Sequence, residues 1–340
     1  MKLSRDAIGK LAGAALVLAL IVFAGGCGNK TAVTGPGTGV GTGVTSPPAG
    51  TGTPMPGSSS PPPGVAPGPY RPNTMGEIMV IVYHNIGPKE DRWERTPAGF
   101  RSDLQALYDR GYRPVNLRDV VTGHIDVPKG YSPVVITFDD GSEGQFRYIT
   151  GVDGKPKIDP DSAVGVMLAF HQEHPDWPLR ATFFINADPF RQPNWQEKLR
   201  FLVDNGMEIG DHTLNHVFLN KSTYEETVRE VGAEAALIAR AVPGYTPVTL
   251  ALPFGAYPAY PDAVHDGTYD GLHYSIKAMV LVGSGPMPSP FNKAFNPDRI
   301  PRIQAVDASF GIKYTLPYWI DYFDRHPDRR YVSDGENKGP

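Results

Sequence analysis

Short, almost entirely apolar segments alternate with amphipathic segments between residues 78 and 303, and this alternation restricts the fold more than any other feature. Strands are predicted at Ile78–Tyr83, Pro133–Phe138, Arg180–Asn186, Met207–Gly210, Pro247–Leu252, Lys277–Val282 and Arg299–Ile303. Helices are predicted at Pro97–Tyr112, Trp195–Val203 and Thr223–Ala241. Strands that are apolar throughout and separated by helices are typical of a parallel sheet covered on both faces. We therefore predict an α/β fold, a (β/α) barrel in preference to an open doubly wound sheet.

A low-complexity stretch confines this fold to the later part of the chain. From Thr31 to Tyr70, 31 of 40 residues are Gly, Pro, Ser or Thr, and none is charged. Such a composition buries too little apolar surface to offset the entropy of ordering the chain. We therefore predict a disordered linker over residues 28–74 and a folded domain over residues 75–340.

The N-terminus has the pattern of a secretory signal peptide. Basic residues precede the apolar run Leu11–Ala24, which is followed by two glycines and then Cys27, the only cysteine of the chain. Residues 1–27 resemble a bacterial lipoprotein signal, which implies that Cys27 is lipidated and attaches the protein to a membrane. An ordinary signal peptide with an incidental cysteine is the alternative. A single cysteine excludes intramolecular disulfides, and a net charge of −4 without a basic run argues against a nucleic-acid partner.

Polar clusters follow several of the predicted strands. Asp139 and Asp140 come directly after one of them, and two adjacent carboxylates need a cation or a proton to relieve their repulsion. His212 and His216 follow another strand, four residues apart, as on one face of a helical turn. Two histidines and one carboxylate leave coordination positions open, which is typical of catalytic zinc. A solvated turn and surface histidines are the alternatives. Because the carboxyl ends of parallel strands share one edge, we predict a metal site there.

Four short motifs follow one another along the chain: Thr137–Gly141, Ala181–Phe184, Glu208–Gly210 and His212–His216. In these residues the chain resembles the polysaccharide deacetylases, the NodB-type domains of carbohydrate esterase family 4, over roughly Ile78 to Ile303. The early Tyr83-His84-Asn85 is more similar to the branch that deacetylates poly-N-acetylglucosamine. The resemblance implies a distorted (β/α)7–8 barrel and an enzyme that removes N-acetyl groups from a cell-envelope polysaccharide. The lipoprotein-like signal and the linker predict an extracytoplasmic protein that is anchored to a membrane and faces the cell wall.

The resemblance also implies roles for individual residues. Asp140, His212 and His216 would bind a divalent metal, most often Zn²⁺ and otherwise Co²⁺ or Ni²⁺. Asp139 would act as the base, taking the proton of a metal-bound water as it attacks the acetamide carbonyl. Phe254 follows the strand Pro247–Leu252, and its backbone N–H would stabilise the oxyanion.

Two positions depart from the family pattern. Ala251 stands where the family has an arginine that holds the base, and Arg302 is the predicted substitute. The late Leu-x-x-His motif that supplies the general acid has no clean counterpart. The candidate acids are His84, His265, His273 and His326. His84 follows the first strand and is the best placed of the four.

Residues 142–178 form an insert relative to typical members of the family. A helix is predicted to begin near Asp159, and its His171 and His174 are interpreted as structural or solvated rather than as ligands of a second metal. An insert beside the catalytic turn could narrow the groove and alter the substrate. Two alternatives therefore stay open: a metal-dependent hydrolase of a non-sugar amide or an O-acetyl ester, and a catalytically silent glycan-binding lipoprotein.

Overall fold

The computed structural model describes residues 70–283, 285–306 and 308–336. Cys27, the predicted signal peptide and most of the predicted linker lie outside these residues. The strands are β1 Glu77–Tyr83, β2 Asn85–Ile86, β3 Glu94–Arg95, β4 Tyr112–Val115, β5 Ser132–Phe138, β6 Tyr148–Thr150, β7 Pro156–Ile158, β8 Thr182–Ile185, β9 Glu208–Asp211, β10 Thr249–Ala251, β11 Gly267–Tyr269, β12 Leu272–Tyr274, β13 Ala278–Val280, β14 Met287–Pro288 and β15 Ile303–Gln304. The helices are α1 Pro97–Tyr108, α2 Leu117–Val121, α3 Ala163–Glu173, α4 Trp195–Asp204, α5 Tyr224–Ala241, α6 Pro261–His265 and α7 Leu316–Arg325. Among the helices described, none has the length and apolar character needed to cross a membrane.

The main sheet is parallel and curls back on itself. Its order is β13-β10-β9-β8-β5-β1, with β14 antiparallel to the start of β1 and β4 beside the first half of β5. Residues 300–304 close the curl, because Ile300 bridges to Val280 of β13 while Ile303 of β15 pairs with Ile81 of β1. The described strands thus form a distorted barrel. The predicted α/β barrel with parallel strands is confirmed.

Successive side chains of the strands pack alternately into two apolar layers, one on each face of the sheet. In β5, Phe138 faces outward and its ring packs 5.6 Å from that of Phe100 on α1. Val135 belongs to a second buried cluster, which also contains side chains of β1, β10 and β13. Since successive residues of a strand point to opposite faces, Thr137 and Asp139 share the face of Val135. The Asp139 side chain therefore points toward the inside of the barrel at the carboxyl-terminal end of the strands.

Local sequence signals explain where the longer helices begin. The Thr96 side chain accepts a hydrogen bond from the Gly99 N–H at the start of α1. Thr223 and Glu226 cap each other's backbone N–H groups at the start of α5. These capping arrangements satisfy donors that a helix leaves unpaired in its first turn.

The structure differs from the sequence predictions in several places. The predicted helix Pro97–Tyr112 ends at Tyr108, and Tyr112 begins β4, which was not predicted. The predicted strand Arg299–Ile303 is mostly irregular, because Pro301 lacks the N–H that a ladder needs, and only β15 remains. The predicted insert contains the β6–β7 hairpin as well as the predicted helix, here α3. The hairpin β11–β12 was not predicted, because its strands have three residues each and only Tyr274 of the six is buried. The helix α7 was also not predicted, although a proline in the first turn is typical of a helix start.

Candidate metal and catalytic site

Asp140, His212 and His216 meet at the carboxyl-terminal edge of the sheet. The Asp140 Oδ1 atom lies 3.3 Å from His212 Nε2 and 3.5 Å from His216 Nε2. The three potential ligand atoms all lie within 4.8 Å of one another. Two ligand atoms of a tetrahedral zinc ion, each about 2.1 Å from the metal, are separated by about 3.4 Å. The residues present therefore fit a divalent ion with one carboxylate and two imidazole ligands.

The two histidines converge through an irregular turn, so the predicted helical turn is wrong. Thr213 and His216 have positive φ angles of 59° and 52°, and Asp140 has a φ of 73°. Left-handed backbone at non-glycine residues costs of order 1–3 kcal/mol and concentrates at functional sites. The Asp211 carboxylate supports the turn by accepting a hydrogen bond of 2.7 Å from the Thr213 N–H.

The environment of His212 fixes which of its nitrogens faces the site. Its Nδ1 lies 2.8 Å from the carbonyl oxygen of Ala251, and the ring is almost fully buried. A carbonyl can only accept, so Nδ1 carries the proton and Nε2 is free to act as a ligand. Farther along the turn, Asn215 donates from its backbone and side chain to the Glu230 carboxylate. Buried partners thus hold both sides of the histidine turn.

Asp139 lies next to this cluster and is paired with Arg302. The Arg302 Nη1 and Nη2 atoms lie 2.7 and 2.6 Å from Asp139 Oδ1 and Oδ2, and Nη1 also donates to Thr137 at 3.1 Å. Arg302 is fully buried and Asp139 is 2% exposed. Burial alone would raise the pKa of the Asp139 carboxyl, but the charge and hydrogen bonds of Arg302 hold it well below its usual range.

Arg302 pairs with Asp139 although position 251, where the family pattern has an arginine, is an alanine. Arg302 belongs to the segment that closes the barrel between β13 and β1, so it approaches Asp139 from this segment and not from β10. Ala251 is buried in β10 and contributes its carbonyl to His212 instead. The guanidinium missing from β10 is thus supplied by the closing segment.

Of the four candidate acids, His84 is the one that contacts the site. Its Nε2 lies 4.0 Å from Asp139 Oδ2, and its ring packs against Trp93 with the centroids 4.5 Å apart. Burial lowers the pKa of His84 by more than the charges of Asp139 and Asp140 raise it. The other candidates have different contacts: His265 pairs with Asp298, His273 pairs with Asp266, and His326 stacks on Tyr322. The acid role of His84 stays a prediction.

Phe254 borders the site on the side of His216. Its backbone has a φ of 59°, and its ring lies 4.5 Å from the His216 ring and stacks on Phe218 at 3.8 Å. The Phe254 ring is 52% exposed, which leaves apolar surface beside the predicted ligand. The oxyanion role of its backbone N–H stays a prediction.

A cleft of about 500 Å³ extends from Asp140 and His84. Trp93, Arg147 and Arg191 contribute to its walls, so residues of the predicted insert border the groove. The two histidines of α3 make structural contacts elsewhere: His171 Nδ1 lies 2.7 Å from the Trp177 carbonyl, and His174 packs on Tyr108. In the described part of the chain, Asp140, His212 and His216 form the one group with metal-ligand geometry.

Several residues of the site were not found from the sequence. Trp93 and Gln145 lie in segments without a recognisable motif, and Glu230 lies on α5, fifteen residues from its partner Asn215. Asp211 could have been given a supporting role, because it directly precedes His212 and carboxylates commonly hold the surroundings of metal ligands in place.

Comparison with known proteins bears on the fold and the family. Residues 166–268 match the family model described as polysaccharide deacetylase. Over these residues the chain is similar to the polysaccharide deacetylases. The matched residues include His212, His216 and Phe254, whereas Asp139 and Arg302 lie outside them. No curated protein sequence matches the chain.

Solved structures share this fold. The deacetylase PplD of Streptococcus pyogenes, solved in complex with acetate, superposes with a TM-score of 0.53 at 16% identity, over 73% of this chain and 98% of its own. A polysaccharide deacetylase from Bacillus cereus gives a TM-score of 0.52 at 16% identity, over 73% of this chain and 69% of its own. At these identities the similarity establishes the fold alone.

Proposed function

We propose that the chain is a divalent-metal-dependent N-deacetylase of an N-acetylglucosamine-type polysaccharide in the cell envelope. The observation that carries the proposal is the buried Asp139–Arg302 pair beside Asp140, His212 and His216. An ionised carboxylate next to a set of metal ligands would act as a base beside the electrophile that a bound divalent ion would supply.

The geometry supports a hydrolytic sequence. Asp140, His212 and His216 would hold a divalent ion, which would supply a Lewis acid for the acetamide carbonyl. Asp139, kept ionised by Arg302, accepts a proton from the attacking water. The Phe254 backbone N–H donates to the oxygen on which negative charge develops. His84 then gives a proton to the nitrogen as the C–N bond breaks, which yields acetate and a free amine.

The shape of the site supports a polymeric substrate. Asp140 and His84 line the cleft, whose volume of about 500 Å³ leaves room for a sugar to reach the reacting groups. Trp93 and Phe254, 42% and 52% exposed, present aromatic rings on which a sugar ring can pack. The similarity of Tyr83-His84-Asn85 to one deacetylase branch favours a glucosamine polymer.

Acetate release from a substrate panel tests this assignment. We expect the zinc-loaded protein to release acetate from N-acetylglucosamine oligomers, and to do so at least tenfold faster than from O-acetylated xylan or a simple acetanilide. The measurement is an enzyme-coupled acetate assay at equal acetyl concentration. Faster turnover of the ester or of the non-sugar amide would instead favour the alternative hydrolases. Binding of the oligomers without turnover would favour a glycan-binding protein.

We further propose that the protein is lipid-anchored through Cys27 and works outside the cytoplasm. The signal-like residues 1–27 and the polar linker after them support this location. We expect Cys27→Ala to move the protein from the membrane fraction to the soluble extracytoplasmic fraction, because the lipid attachment site is lost. The measurement is fractionation with mass spectrometry of the N-terminal peptide, and Ser46→Ala in the linker is the control. An unmodified N-terminal peptide in the wild type would contradict the anchor.

A further inference from the structure

The buried side chain of Gln145 lies between the backbones of His84 and Asp139, the two residues proposed as acid and base. It is fully buried in the short helical turn Glu143–Gln145, which follows closely on Asp139 and Asp140. Its Nε2 donates to the carbonyl oxygen of His84 at 2.6 Å and also to the carbonyl oxygen of Asp139. Both amide hydrogens are therefore used on the backbones of the residues proposed as acid and base.

The orientation of this amide follows from its partners. Two carbonyl oxygens can only accept, so the nitrogen and not the oxygen of the side chain must face them. The opposite atom, Oε1, is buried and has no hydrogen-bond partner in the described structure. A buried unpaired acceptor is costly, and its presence indicates that the position is constrained by the two bonds that the nitrogen makes.

Neighbouring residues reinforce the same junction. The Ser142 hydroxyl donates to the His84 carbonyl at 3.0 Å. A Cβ atom at Gly144 would lie 1.9 Å from the Ile86 carbonyl oxygen, so only glycine permits this close approach. The segment Ser142–Gln145 is thus fitted against the backbone that follows β1.

We propose that Gln145 is a positioning residue that ties the backbone of Asp139 to the backbone of His84. The tie sets the distance between the His84 imidazole and the Asp139 carboxylate, which is 4.0 Å at the closest approach. The base and the acid act at the two ends of the C–N bond that breaks, so the separation between them must stay fixed. A small displacement of either group lowers kcat more than it lowers substrate binding. The proposal rests on the proposed function, because it requires both residues to react.

Gln145→Met tests the proposal, because it keeps the length of the side chain and removes both donors. We expect kcat for acetate release to fall roughly 10- to 100-fold, with KM and bound zinc within about twofold of the wild type. Gly144→Ala should give the same pattern by forcing the two segments apart. Gln192→Met is the matched control, since Gln192 bonds to Glu143, Tyr148 and Lys198 and contacts neither reacting residue.

A second measurement separates positioning from general destabilisation. In a His84→Ala background, Gln145→Met should cost clearly less in kcat than it does in the wild type, because one of the two positioned groups is already gone. An equal cost in both backgrounds, or an equal loss in Gln192→Met, would overturn the proposal. Absence of acetate release in the wild type would instead count against the proposed function itself.

Discussion

Arg302→Met is expected to lower the free energy of unfolding by about 3–5 kcal/mol and to remove most of the acetate release at neutral pH. Breaking a buried ion pair leaves the Asp139 charge without its main compensation in a place that is almost fully shielded from solvent. Once Arg302 is removed, its guanidinium no longer opposes the effect of burial. The pKa of the Asp139 carboxyl therefore rises from its present low value. Urea unfolding and the pH dependence of kcat measure the two effects.

The direction of the pH effect follows from the state of the base. Asp139 works when ionised, so activity is lost as the pH falls through its pKa. In the wild type this pKa lies well below the usual range, and the loss through Asp139 should occur only in strong acid. In Arg302→Met the acidic limb of the profile should move toward neutral pH. An unchanged limb would contradict the role of Arg302.

A double variant separates the pair from the loss of packing. Asp139→Asn combined with Arg302→Met removes both charges, so its destabilisation should be smaller than the sum of the two single effects. Arg299→Met is the matched control, because Arg299 is exposed and stacks on Tyr257 without touching the site. Simple additivity of the two stability changes would show that the ion pair is not the stabilising interaction.

His212→Ala is expected to abolish stoichiometric zinc binding and, with it, acetate release. The variant removes a ligand whose geometry is fixed by the Ala251 carbonyl, and only Asp140 and His216 remain of the trio. Loss of an outer partner alone costs 10- to 100-fold in metal affinity, so loss of a ligand should cost roughly 100-fold or more. Metal content by mass spectrometry and acetate release are measured on the same samples.

Chelation and reloading complete the metal experiment. The stripped wild type should regain activity with Zn²⁺ or Co²⁺, whereas His212→Ala should not. His326→Ala is the matched control, because His326 is exposed at the end of α7 and stacks on Tyr322. Full activity in a sample with no divalent metal would contradict the proposed site.

The strand pattern predicted the fold because burial on both faces leaves a direct trace in the sequence. β1 and β5 are buried along nearly their whole length and were predicted within a residue or two of their bounds. The position of Asp139 and Asp140 at the end of β5 followed from the same pattern. Features that depend on a single bridge, such as the closure through Ile300, leave no periodic signal.

The finer parts of the site depend on tertiary contacts that spacing does not encode. The spacing of His212 and His216 indicated that they share a metal, but the backbone between them is a left-handed turn and not a helix. Arg302 could be named only as a candidate, because it is 163 residues from Asp139 in the sequence and only the fold brings them together. Gln145 acts through backbone carbonyls, which any residue can supply, so no motif marks it.

Acetate release from an N-acetylglucosamine oligomer by zinc-loaded wild type and by Asp139→Asn tests the account most directly. Asn is close to Asp in shape but cannot accept the proton, so we expect a loss of about 10²- to 10⁴-fold in kcat with zinc still bound. Asp204→Asn, at the exposed end of α4, should behave as the wild type. Release that is equally fast in Asp139→Asn and in the wild type would contradict the proposed mechanism.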